Sequence, residues 1–177
     1  MECPVTSRWW RRNALSLVAL CVLLPVTFGI VALNEWSRWD VGHPTKPLSV
    51  GPGESTEYDA ATIGPATAEF VDGDDSAPAG TRIVRASVAV APGDEPIACI
   101  TPLLRETEGA KRQWNEASAE LDREYDPDLR TYCDSEGTDQ HSLTLEYLVP
   151  EDATGPFAIE VAAPAELPQF VRLVVEP

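Results

Sequence analysis

Residues Thr81–Pro92, TRIVRASVAVAP, carry the pattern that decides the fold. Val84, Ala86, Val88 and Val90 fall on one face, and Ile83, Arg85, Ser87 and Ala89 on the other. Period-2 alternation of this length marks a half-buried β-strand. The same alternation recurs downstream. SLTLEYLVP aligns Leu143, Leu145, Tyr147 and Val149; FAIEVAA aligns Phe157, Ile159 and Val161; FVRLVVE aligns Val171, Leu173 and Val175. STEYDAATI, ATAEFVD, IACITPLLRET and KRQWN are weaker strand candidates. Turn signals separate the runs, among them Asp72-Gly73-Asp74-Asp75, Pro92-Gly93-Asp94 and Thr154-Gly155-Pro156. Seven or eight short strands with frequent turns predict an antiparallel, all-β sandwich. Only Asn115–Glu124, NEASAELDRE, has the composition of a helix in this region, as a surface insertion with Leu121 its main apolar residue.

Upstream of the strands lies a different kind of segment. Residues 14–33 hold no charge over twenty positions, about 30 Å of helix and enough to cross a bilayer core. Arg8, Arg11 and Arg12 precede the run, while Glu35, Arg38 and Asp40 follow it. The positive-inside rule then orients the N-terminus toward the cytoplasm. Trp9 and Trp10 on one side and Trp36 and Trp39 on the other match interfacial aromatic belts. A cleaved signal would be shorter and end at small residues, whereas this run ends Val31-Ala32-Leu33. A lipoprotein signal would place a small residue before its cysteine and end there; Leu20 precedes Cys21 and the run continues. An uncleaved single-pass anchor fits best, with Cys21 an apolar passenger and Cys3 a reduced cytoplasmic thiol. The expected organisation is therefore a cytoplasmic tail (1–13), a transmembrane helix (14–33), a flexible Pro/Gly-rich tether (34–53) and an extracytoplasmic sandwich (54–177).

From Asn34 onward, 28 acidic residues face 10 basic ones, a net charge of −18. Such a domain repels nucleic acid and anionic lipid, so no nucleic-acid partner is expected. Cys99 and Cys133 are the only cysteines in this region. In an oxidising compartment they predict a disulfide, since no further Cys or neighbouring His completes a metal tetrad. The bridge would staple the base of a long polar excursion, a common location for binding function.

Catalytic patterns are sparse. His43 sits beside Pro44 in the tether, and His141 in a polar loop near Asp134 and Asp139. No Gly-x-Ser-x-Gly elbow is present, and the many carboxylates of residues 106–128 read as a solvated surface. The expected protein is not an enzyme and needs no cofactor. Asp72, Asp74 and Asp75 share one loop and offer oxygen ligands for Ca²⁺, without an EF-hand spacing. Within the excursion, Trp114 and Tyr125 with Arg112, Arg123 and Arg130 are candidate partner-binding residues. For Trp114 the favoured reading is a core-filling tryptophan behind the disulfide.

Three segments carry a family resemblance: Gly80-Thr81-Arg82-Ile83-Val84 opening a long strand, LLRETEGAKRQW, and LEYLVPEDATGPFAIEV. Together they resemble a family of bacterial cell-surface domains of uncharacterised function with an immunoglobulin-like sandwich, a fold shared with a secreted mycobacterial immunoprotective antigen. The resemblance spans Glu54–Pro177 and implies a fold, with no shared catalytic set to carry over. The layout of anchor plus acidic domain is similar to small actinobacterial membrane proteins, and the full membrane helix departs from the family's lipid-anchored members. The expected function is a membrane-anchored accessory module that presents the stapled excursion to an envelope or membrane protein. The alternative is a Ca²⁺-binding or cation-sensing envelope domain acting through the acidic loops.

Overall fold

The computed structural model describes residues 7–124, 126 and 129–177. The chain divides after Val41 into a helical unit and a β unit that begins at Gly42.

The helical unit is α1, Ser7–Val41, 35 residues with Pro25 inside it. Its window Trp9–Val41 is long and apolar enough to cross a membrane, and its apolar side chains are exposed. It fits a membrane anchor. At 1.5 Å per residue, the separation of the Trp9/Trp10 pair from the Trp36/Trp39 pair is about 40 Å, close to the span between the two interfacial layers of a bilayer. Each tryptophan pair is in ring contact, with centroids 5.5 and 5.7 Å apart.

The β unit holds nine strands among the described residues, in two sheets. They are β1 (Lys46–Val50), β2 (Thr56–Tyr58), β3 (Ala61–Val71), β4 (Thr81–Pro92), β5 (Ile100–Glu106), β6 (Gln113–Trp114), β7 (His141–Pro150), β8 (Phe157–Ala162) and β9 (Gln169–Val175). One sheet has the order β1-β9-β8-β5-β6 and the other β2-β3-β4-β7. All pairs are antiparallel except β1 with β9, where Lys46 stands opposite Gln169 and Val50 opposite Leu173.

The alternating residues close the core between the sheets. Val84, Ala86, Val88 and Val90 from β4 meet Leu143, Leu145, Tyr147 and Val149 from β7. Phe157, Ile159 and Val161 of β8 and Val171, Leu173 and Val175 of β9 face them from the other sheet. Burying side chains of this size contributes roughly 1.5–3 kcal/mol each. β8 is buried on both faces along its whole length. Its outward Glu160 accepts from Arg105 Nε at 2.7 Å and from Arg172 Nη2 at 2.7 Å. Tyr58 ties the sheets together: its hydroxyl donates to the Gln169 carbonyl (2.9 Å) and accepts from the Ala163 amide (3.0 Å). A bulge interrupts the β3–β4 ladder between Ile63 and Ala66. There Gly64 has φ +101° and a Cβ would stand 2.7 Å from the Glu54 carbonyl oxygen, so the position requires glycine.

Two expectations need correction. The tether over 34–53 is instead helix through Val41, then four connecting residues, then β1. Residues 34–41 contain no Gly or Pro to stop the helix before Gly42 and His43-Pro44. Residues 46–50 become a strand because β9 supplies a ladder. The helix over Asn115–Glu124 is a single turn. Leu121 N donates to the Ala117 carbonyl at 3.0 Å, and Asp122 then turns left-handed with φ 49°. A short isolated helix is costly to nucleate, whereas burying Ala117 and Leu121 under this turn contributes apolar contact. The segment is thus docked rather than a surface insertion.

Candidate functional site

β7 is the outer strand of the four-stranded sheet. Edge strands leave a row of backbone donors and acceptors open to foreign strands. Here the excursion between β6 and β7 covers part of that row. Ala117 N donates to the Glu146 carbonyl at 2.8 Å, and Thr144 N donates to the Arg130 carbonyl at 2.7 Å. Arg130 and Leu143 form an isolated parallel bridge. The excursion is stapled by the Cys99–Cys133 disulfide, with Cα atoms 5.5 Å apart and the two residues 34 positions apart in sequence. Cys133 is buried and Cys99 packs against the core.

A charged network fixes the excursion from the side. Glu146 points outward from β7 yet is only 8% exposed. Its Oε1 accepts from Arg85 Nε (3.1 Å) and Nη2 (2.8 Å), and its Oε2 from Arg123 Nε (2.6 Å). Arg123 Nη2 also donates to Asp74 Oδ2 at 2.6 Å. Asp74 Oδ1 accepts from the Ser76 hydroxyl (2.6 Å) and amide (3.0 Å). The Ser76 hydroxyl and then the Arg123 guanidinium hold the Asp74 carboxyl well below the usual carboxylate range. Asp74 thus engages Arg123, while Asp72 and Asp75 are exposed. Among the described residues no three His, Cys, Asp or Glu side chains converge as metal ligands.

The other candidates have structural partners. Arg112 forks onto Glu106, Nε to Oε2 at 3.1 Å and Nη2 to Oε1 at 3.0 Å, and its Nη1 reaches Asp152 at 2.9 Å. The Arg112 hydrogen bonds lower the Glu106 pKa against the opposing effect of burial. Trp114 is half-buried, packs against the core and meets Phe157 edge-on at 6.0 Å. The Arg112 guanidinium lies 5.6 Å from its ring centroid. Arg130 pairs with Asp134 at 2.9 Å. Tyr125 lies outside the described residues. His141 Nδ1 bonds to the Asp139 carbonyl at 2.9 Å, while Asp134 accepts from Arg130 and from the amides of Glu136 and Gly137.

Between the excursion and the outer face of β4 and β7 lies an open cleft of about 860 Å³. Arg85, Thr144 and Glu146 form part of its floor, and Glu116, Glu124 and Leu129 belong to its excursion wall. Tyr132, 65% exposed, and Leu129, 55% exposed, line it as well. Residue identity alone did not single out Leu129 or Tyr132. The adjacency of Tyr132 to the stapled Cys133 was the available signal. The structure therefore divides the candidate set. Arg123 and the disulfide build the cleft, Glu146 anchors it, and Trp114 and Arg112 brace the sandwich behind β6.

No protein-family model matches the chain, and no curated protein does. One solved structure, the lipoprotein candidate ycdA of Bacillus subtilis, is similar over 69% of this chain at 12% identity and a TM-score of 0.45. The chain spans 38% of that structure's length.

Proposed function

We propose that this chain is a single-pass, membrane-anchored binding module without catalytic activity, which offers the cleft beside its stapled excursion to an envelope or membrane protein partner. The observation that carries the reading is the cleft itself. It exposes Leu129 and Tyr132 on a segment held by a disulfide and by the Arg123–Glu146 pair. Fixing a recognition segment before binding lowers the ordering cost of association. Exposed aromatic side chains such as Tyr132 are of the type enriched among the anchors of protein interfaces.

The arginines before the apolar run favour a cytoplasmic N-terminus and an extracytoplasmic β unit. The immunoglobulin-like reading draws support from the β8–β9 hairpin beside β5, from β1 parallel to β9, and from β4–β7 across the core. The resemblance over Glu54–Pro177 points the same way.

The test is site-specific photo-crosslinking of the full-length protein in its own membrane. A photoreactive residue replaces Tyr132 in one variant and exposed Asp94, which does not line the cleft, in another. A discrete protein adduct from position 132 and none from position 94 is expected. Equal adducts from both positions, or none from 132, would overturn the reading.

A further inference from the structure

We infer that the cleft receives a cationic, partly apolar polypeptide segment, one that carries lysine or arginine beside an aliphatic side chain. This inference rests on the reading of the cleft as the partner site and specifies the chemistry that site recognises.

Charge selects the occupant. Among the described residues, two arginines and four carboxylates line the cleft. Both arginines are already committed: Arg85 donates to Glu146, and Arg123 to Glu146 and Asp74. Their guanidinium groups are thus compensated by Glu146 and by Asp74. Glu124 and Asp126 are exposed along the excursion. An approaching segment therefore meets a net negative lining inside a strongly acidic domain. Complementary fields of this kind steer encounter and select the sign of the partner. An acidic peptide or a nucleic acid would meet like charge.

The lining is also partly apolar. Leu129 and Tyr132 are large, well-exposed side chains on the same wall as those carboxylates. They offer an aliphatic contact and a ring face, and a ring face also attracts ammonium or guanidinium groups. Acidic and apolar groups side by side match a segment in which basic and aliphatic residues alternate. A neutral glycan could stack on Tyr132 but would gain nothing from the charge.

The test uses the full-length protein in nanodiscs of zwitterionic lipid, with empty nanodiscs as the blank. The probe is a fluorescent peptide of alternating lysine and leucine, read by anisotropy, with a glutamate–leucine peptide as its counterpart. Lysine–leucine binding should exceed glutamate–leucine binding at least tenfold and weaken as salt rises. E124Q/D126N should weaken it about fivefold or more. D94N/E95Q removes the same charge from residues outside the cleft and should stay within twofold. L129S/Y132S should weaken binding while keeping the salt dependence. Melting temperatures check that each variant is folded. Equal binding of the two peptides overturns the inference, as do equal losses from the two charge-neutralised variants, which would indicate diffuse attraction. An adduct from position 132 without preference for the lysine peptide would overturn the cationic inference and leave the binding module standing. Loss of both would overturn both.

Discussion

Replacing Cys99 and Cys133 together by alanine removes the staple while leaving the side-chain network of the excursion in place. In the chain-entropy model a cross-link acts on the unfolded chain, and its effect grows with the logarithm of the loop it closes. For the 34-residue separation between these cysteines the lost stabilisation is about 4 kcal/mol. Unfolding entropy near the midpoint is about 2.1 cal/mol/K per residue, or roughly 0.3 kcal/mol/K for residues 42–177. The double variant should therefore melt about 13 °C lower than the oxidised protein. Circular dichroism of the β signal in full-length protein, with and without a dithiol reductant, gives the measurement. Reduction of the wild type should reproduce the variant. A decrease below about 4 °C would refute the reasoning, because the unfolded loop would then already be constrained without the bridge. Loss of the native β signal at 25 °C would refute it in the other direction, by showing that the network and the β7 contacts cannot hold the folded state alone.

Three further outcomes follow from named contacts. E146A leaves Arg85 and Arg123 without their shared carboxylate and should cost about 1–3 kcal/mol in urea unfolding; R85A alone, which leaves the Arg123 pair intact, should cost less. Y147F removes the hydroxyl that donates to the Pro102 carbonyl at 3.2 Å in a buried site, and should cost about 1 kcal/mol with unchanged β signal. Asp74, Glu106 and Asp134 have native pKa values below their ordinary 3.8, 4.5 and 3.8. Such carboxylates add stability above those values, and the contribution is lost as the pH falls through the lower native ones. Melting temperature should therefore be flat from pH 7 to about 5 and fall below 4.5, with a shallower acid limb in D74N.

The sandwich was legible in the strands that bury one face. Val84 through Val90, Leu143 through Val149 and the β8 and β9 residues all enter the core as their alternation requires. β1 was not legible, because Lys46–Val50 contains proline and only Val50 is buried; its strand character comes from β9. The helical composition of 115–124 was overruled by tertiary contact, since Ala117 bonds to β7 and Leu121 is buried. The disulfide was legible from compartment and count. The site was less so. Glu146 occupies a solvent-face position in the alternation of β7, and nothing local marks it as buried beneath a distant loop. Arg112, Arg123 and Arg130 were recognisable as a set, but their roles depend on which carboxylate each one meets.

The parallel pairing of β1 with β9 has a consequence for the order of folding. Lys46 finds its ladder partner at Gln169, across nearly the whole β unit in sequence. The entropy of closing so long a loop must be met before any contact between the two strands is rewarded. The strand made first is thus among the last to be secured, and β1 remains unpaired until β9 is in place. Amide protection along residues 46–50 would then report completion of the sandwich rather than its nucleation, which falls to the local hairpins β3–β4 and β8–β9.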